Sequence, residues 1–168
     1  MISAATLQDI PELNILVNSA YRGESSKKGW TTEEHLLGGI RTDEGDLSEL
    51  LQKENVIILK YTESGKIIGS VYLEKQVDKL YLGMLTVSPE LQGGGIGKKL
   101  MEAAEKLAKE NNIYKVSMTV ISVRKELIEY YERRGFKNTG EIKPFPMNDP
   151  KFGLPKQQLS FIVMEKEL

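Results

Sequence analysis

Val87-Ser88-Pro89-Glu90-Leu91-Gln92-Gly93-Gly94-Gly95-Ile96-Gly97-Lys98-Lys99-Leu100-Met101 is the stretch from which the fold is read. Just before the glycines, residues 80–87 (LYLGMLTV) are an apolar run of strand formers, closed by Pro89 because proline cannot donate to a ladder. Beyond them, Ile96, Leu100, Ala103, Ala104, Leu107 and Ala108 recur at helical spacing, while Glu102 with Lys106 and Glu105 with Lys109 form favourable i,i+4 pairs on the wet side. A strand therefore passes through a glycine-rich turn directly into an amphipathic helix.

That junction suits an anion. The first turn of a helix carries unpaired N–H groups and the positive end of the helix dipole, and glycines let the backbone come close to a bulky phosphate. Lys98 and Lys99 are cations in a first turn, each unfavourable by roughly 0.3–1 kcal/mol unless an anion offsets them. The bland alternative is a flexible turn with two solvated lysines. A P-loop is excluded because Gln92 stands where its first glycine belongs and Lys99 where its hydroxyl belongs. A dinucleotide fingerprint fails as well, since Leu100 or Lys98 falls on its third glycine.

The rest of the chain narrows the class. Its 168 residues suit a single domain, 1–168, with one core. With 40% hydrophobic and 28% charged residues and a net charge of −1, nothing attracts it to nucleic acid or to an anionic membrane surface. A small-molecule partner is expected instead, and self-association into a homodimer stays open. No run of about 18 apolar residues is present and the start MISAATLQDIPEL lacks the regions of a signal peptide, so the expected compartment is the cytoplasm. Without cysteine there is no disulfide, no thiolate metal site and no cysteine acyl-enzyme, and no metal is expected.

Taken in order, residues 2–6 read as a strand, and Asp9 with Glu12 as a capping-box start for a helix carrying Ile10, Leu13, Leu16, Val17 and Ala20. A polar loop with Tyr21 and Trp30 follows. Thr31 with Glu34 would cap a short helix through Leu36 and Leu37, and Asp46 with Glu49 another through Leu50 and Leu51. Residues 55–62 and 66–75 read as a hairpin about Glu63-Ser64-Gly65. Strands at 80–87 and 114–122, a helix at 123–134, and strands at 137–142 and 159–166 complete the chain. The order β-α-α-β-β-β-α-β-α-β-β is α+β, a central mixed and mostly antiparallel sheet flanked by helices, with the glycine-loop helix forcing one parallel pair.

Gln92 to Gly97 fits Q-x-x-G-x-G after V-x-P and, with YYERRGF at 130–136, resembles the GCN5-related N-acetyltransferase superfamily along nearly the whole chain. The resemblance implies that the strands at 80–87 and 114–122 splay apart to admit acyl-CoA. It places the pyrophosphate on Gln92, Gly93, Gly94, Gly95, Ile96, Gly97 and Lys98, and the pantetheine amides and oxyanion on backbone at Leu85, Thr86 and Val87, next to a bulge. Tyr131 matches the tyrosine that protonates the departing thiolate, leaving Tyr130 to packing; Gly135 and Phe136 would close the helix. Arg124 stands where the family often carries asparagine and could reach a phosphate. No acid lies on residues 80–87, so the base is water, Glu33, Glu34 or Glu74; His35 reads as a surface residue.

The segments YRGESSKKGWTTE, TGEIKPFP and KFGLPK resemble those of a bacterial subgroup of this superfamily. Tyr21, Arg22, Trp30, Glu33, Phe145 and Phe152 would wall the acceptor pocket, Arg22 for a carboxylate and Glu33 with Glu34 for an ammonium; the alternative is that these residues only pack or cap the loop. The resulting expectation is an acetyl-CoA-dependent transfer to a small amine by direct attack in a ternary complex. A non-catalytic acyl-CoA sensor and a mononucleotide-binding protein are the alternatives.

Overall fold

The computed structural model describes residues 1–21, 37–38, 40–145, 154–156 and 159–168. In chain order the elements are β1 (Ile2–Ala4), α1 (Ile10–Tyr21), β2 (Leu37–Gly38), α2 (Glu44–Leu51), β3 (Val56–Glu63), β4 (Lys66–Lys75), β5 (Leu80–Val87), α3 (Ile96–Glu110), β6 (Lys115–Ile121), α4 (Lys125–Arg133), β7 (Lys137–Pro144), β8 (Leu154–Pro155) and β9 (Ser160–Glu167). A seven-stranded sheet runs β1-β3-β4-β5-β6-β9-β7, and β2 pairs with β8 separately. Every pairing is antiparallel except β5 with β6, where the crossover through α3 leaves no other choice.

Two helical layers bury the sheet. Ile96, Leu100, Met101, Ala104 and Ala108 of α3 pack on Val71, Leu73, Leu82 and Val116. On the other face Ile10, Leu13 and Leu16 of α1, with Leu47 of α2, cover Val56, Ile58, Ile67 and Tyr72. Gly69 lets α3 sit this close to β4. A Cβ there would stand 2.9 Å from Ile96 Cγ2 and 3.1 Å from Leu100 Cδ1.

Several local expectations shift. The hairpin turns at Ser64 and Gly65, both at positive φ, as the sequence suggests. The capping residues do not sit where Asp9 and Glu12 were expected to place them. The Asp9 carboxylate takes the Thr6 N–H at 2.8 Å and the Lys60 ammonium at 2.9 Å, while Glu12 receives Ile67 N–H at 2.7 Å from the sheet. Likewise α2 is capped by Asp43, whose side chain accepts from Asp46 N, so the helix begins before Asp46. Leu37, expected at the end of a helix begun at Thr31, pairs with Pro155 as strand; the rest of that helix lies outside the described residues.

The feature that positions the site is the parting of β5 and β6. They pair only at Leu80 with Val116 and Tyr81 with Ser117, after which their facing edges separate. A bulge sharpens the divergence: Met84 and Leu85 together oppose Val71, and Met84 adopts φ 46°. Thr86, fully buried, donates its hydroxyl to Met84 C=O at 2.9 Å and pins that turn.

Candidate active site

Two cavities open along the parted strands, and both are lined by Tyr21, Leu85, Leu127 and Tyr131. The first, about 240 Å³, lies between Tyr81 to Leu85 of β5 and Met118 to Ile121 of β6, with Arg41, Arg124, Phe145 and Phe161 on its walls. The second, about 180 Å³, is bounded by Val87, Gln92, Gly93, Gly95, Ile96, Gly97, Lys98, Tyr130 and Arg134.

The glycine loop shapes the second cavity. Pro89–Leu91 forms a single helical turn, and Gln92 closes the loop by donating its amide to Val87 C=O at 3.1 Å. Gly93 and Gly95 take φ 92° and 84°, with open space where a side chain would project. Gly95 is the N-cap of α3 and supplies no side chain; the first turn is closed by Lys99 N–H donating to Gly95 C=O at 3.0 Å. The N–H groups of Ile96, Gly97 and Lys98 precede that bond and are the helix's open donors. At Gly97 a Cβ would stand 3.3 Å from the Tyr130 hydroxyl, a close contact that Tyr130 would relieve by moving a few tenths of an ångström. Uncapped amides, left-handed glycines and a lysine suit the two phosphates of a CoA-type ligand.

Tyr131 stands where the cavities meet. It lies in a trio of rings, 5.3 Å from Tyr130 and 6.0 Å from Phe136 between centroids, both near edge-to-face. The helix end holds it: Phe136 N–H returns to Tyr131 C=O at 3.1 Å around Gly135, whose φ is 95°. Burial, and secondarily the neighbouring Tyr21 and Tyr130 hydroxyls, raise its pKa well above the ordinary phenol range, with Arg124 opposing in part. Tyr131 therefore holds its proton throughout the physiological range. From the other side the Tyr21 hydroxyl donates to Leu85 C=O, satisfying a carbonyl on the freed edge of β5.

Several expected residues lie elsewhere. Arg124 does not face the glycine loop: the turn leaving β6 makes it the N-cap of α4, where it is buried and lines the first cavity. Lys99 turns away from the loop, its ammonium 5.9 Å from the Tyr61 ring centroid, leaving Lys98 as the lysine at the cavity. Gly94 and the Thr86 side chain line neither cavity. Tyr130 does more than pack, since it walls the glycine-loop cavity beneath the Arg134 guanidinium, 4.5 Å from its ring centroid. Glu74 is turned to another groove, accepting the Tyr72 hydroxyl at 2.8 Å and the Gln76 amide at 2.9 Å. Arg22, Trp30, Glu33, Glu34, His35 and Phe152 lie outside the described residues. Among the described residues no cluster of His, Asp or Glu could hold a metal, and no helix is long and apolar enough to cross a membrane.

Arg41, Tyr81, Thr119 and Phe161 were not singled out from the sequence. Tyr81 and Thr119 share a hydroxyl contact of 3.1 Å across the mouth of the parted strands. A strand-like alternation placed both residues in strands but carried no sign that their faces would meet.

A known family accounts for this arrangement. The profile of the Acetyltransferase (GNAT) domain matches residues 35–145, about two thirds of the chain. The chain belongs to the GNAT acetyltransferases: it is an acyltransferase that uses acetyl-CoA. It is 25% identical over 122 residues to the peptidyl-lysine N-acetyltransferase YjaB of Escherichia coli K12, covering 69% of this chain and 77% of that protein. The ribosomal-protein-alanine N-acetyltransferase of Brucella melitensis superposes with TM-score 0.74 at 20% identity, over 100% of this chain and 99% of the other. The PaiA N-acetyltransferase of Thermoplasma acidophilum, solved with coenzyme A, gives 0.70 at 19% identity, over 100% and 98%. Family and fold thus agree with the expected acetyltransferase architecture, including its splayed strands, and set aside the mononucleotide alternative.

Proposed function

We propose that this protein acetylates the amine of a small molecule by direct attack within a ternary complex, with Tyr131 as general acid. Acetyl-CoA supplies a thioester carbonyl and a thiolate leaving group when bound. The glycine loop and the first amides of α3 hold its phosphates, and the freed backbone of Leu85, Thr86 and Val87 positions the acyl arm and the carbonyl oxygen. Tyr131 delivers its hydroxyl proton to the departing sulfur and regains one from the water-linked amine nitrogen. A thiol has a pKa near ~8.5 and a phenol near ~10 in water. Burial disfavours both anions, so the high pKa of Tyr131 is matched by a thiolate that also needs its proton.

One observation carries this reading: two separate cavities converge on the same buried hydroxyl. Neither is lined by a serine among its described residues, and the chain has no cysteine, which favours transfer without a covalent enzyme intermediate. The YjaB relative is described as acting on peptidyl lysine and the Brucella structure as acting on a ribosomal-protein alanine. Here the acceptor-side cavity is smaller than the about 300–1,000 Å³ typical of drug-sized ligand sites. That favours a small acceptor over a polypeptide.

Initial rates measured against both substrates test the order. Intersecting double-reciprocal lines with a screened small amine are expected. Parallel lines would point to an acyl-enzyme and overturn the direct transfer.

A further inference from the structure

We propose that the acceptor carries a carboxylate as well as its amine, and that Arg41 and Arg124 bind that carboxylate in the cavity between β5 and β6. This rests on reading that cavity as the acceptor side of an acetyltransferase.

Among the described residues the charge of the cavity lining is lopsided. Its described lining holds two guanidiniums and no aspartate or glutamate, in a chain whose 24 acidic and 23 basic residues nearly cancel. The imbalance is local. Arg124 is only 7% exposed and sits at the N-cap of α4, so the positive end of that helix adds to its field. Arg41 is placed by a clamp: Asn18 Oδ1 accepts from Arg41 N at 2.7 Å and Thr42 N at 3.2 Å, and Asn18 Nδ2 donates to Thr42 C=O at 2.9 Å. The Arg41 guanidinium then lies 5.6 Å from the centroid of Tyr21, the ring that reaches Leu85 where the cavities meet. No ion pair joins Arg41 to a carboxylate among the described residues, although Asp46 and Glu49 line the adjoining groove that it also borders.

The same charges prepare the nucleophile. An ammonium beside two guanidiniums loses its proton more readily, so the amine arrives neutral although no described carboxylate is at hand to act as base. Its nitrogen forms a bond to the acetyl carbon and the carbon–sulfur bond breaks. Tyr131 protonates the sulfur, the nitrogen gives up one proton through water, and that proton restores the Tyr131 hydroxyl. The carboxylate is unchanged. A polyamine or a lysine flanked by further cations would meet repulsion in this site, whereas a carboxylate accepts charge-assisted bonds from both planar forks.

The test is a matched panel titrated into the CoA-saturated protein for binding and, separately, assayed with acetyl-CoA for acetyl transfer: methionine with methioninamide, phenylalanine with phenylalaninamide, and spermidine with a lysine-containing peptide. Carboxylate-bearing members are expected to bind at least about 10-fold more tightly than their amides, as one charge-assisted contact predicts. Arg41→Ala should remove that preference while CoA affinity holds, and Arg41→Lys should restore part of it. Arg41 is the primary variant because Arg124→Gln alters a buried cap. If the amides or spermidine bind equally well, if no member binds, or if Arg41→Ala keeps the preference within twofold, the inference is wrong. Transfer to cationic amines that depends on Tyr131 would overturn it and leave the proposed function standing. Arg41-dependent carboxylate binding without any transfer would do the reverse.

Discussion

The two cavities at the parted strands are built in opposite ways. The glycine-loop cavity takes Gln92, Gly93, Gly95, Ile96, Gly97 and Lys98 from one short run of chain, braced by Gln92, and completes its wall with Tyr130, Tyr131 and Arg134. The neighbouring cavity gathers Tyr21, Arg41, Tyr81, Thr119, Arg124 and Phe161 from distant parts of the chain. A phosphate can be recognised by backbone amides that any turn of the right shape supplies. An acceptor must be recognised by side chains, and those are brought together only by tertiary packing.

The sharpest way to break the comparison is Tyr131→Phe, which removes the hydroxyl at the junction and leaves the ring trio intact. Turnover should fall by about 10²–10⁴-fold while CoA affinity is unchanged by calorimetry. A rate within twofold of the parent would make Tyr131 structural. Next in size is Gly97→Asp, which puts a side chain against the Tyr130 hydroxyl and a negative charge beside the open amides of α3. CoA affinity should drop by roughly 100-fold, about 2.7 kcal/mol, with the melting temperature of the free protein little changed. If affinity holds in the folded variant, the phosphates lie elsewhere.

Gly69→Val tests the packing that joins loop to sheet, because the new side chain meets Ile96, Leu100 and the Thr86 carbonyl. A loss of about 1–3 kcal/mol in denaturant unfolding is expected from overpacking, together with weakened CoA binding as α3 is displaced. Tyr21→Phe is milder: it leaves the buried Leu85 carbonyl without its donor. About 1 kcal/mol of stability and a fall in kcat larger than any change in CoA affinity are expected, measured by melting and steady-state kinetics.

The smallest effect is on alkaline stability. Burial raises the pKa of Tyr131 in the folded protein, so above about pH 10 the unfolded chain releases this proton and the folded one keeps it. Stability then falls as pH rises through that region. Tyr131→Phe should flatten this part of the stability curve, and an unchanged slope in urea melts between pH 9 and pH 11 would contradict it.

Strand and helix periodicity placed 66–75 and 80–87 at their observed bounds, because in both cases turn residues stop an alternating or apolar run abruptly. The glycine loop was equally legible, since its φ values are local demands that only glycine meets cheaply. The bulge at Met84 was anticipated only through the family resemblance; nothing in LYLGMLTV marks which residue takes φ 46°. Arg124 stands where the family often carries asparagine, which suggested a phosphate contact; the turn after β6 places it in the lining of the other cavity. Arg41 gave no signal because its position depends on Asn18, 23 residues earlier, folding over to clamp its backbone.

By itself the chain determined its element types, the parallel crossover and the glycine-rich turn, since each follows from interactions among near neighbours. Only the tertiary structure decided that β5 and β6 part after Tyr81, that Tyr131 meets Tyr21 at the opening, and that two guanidiniums flank it. Those outcomes depend on which distant side chains fill the same space, and close packing settles that for all elements at once.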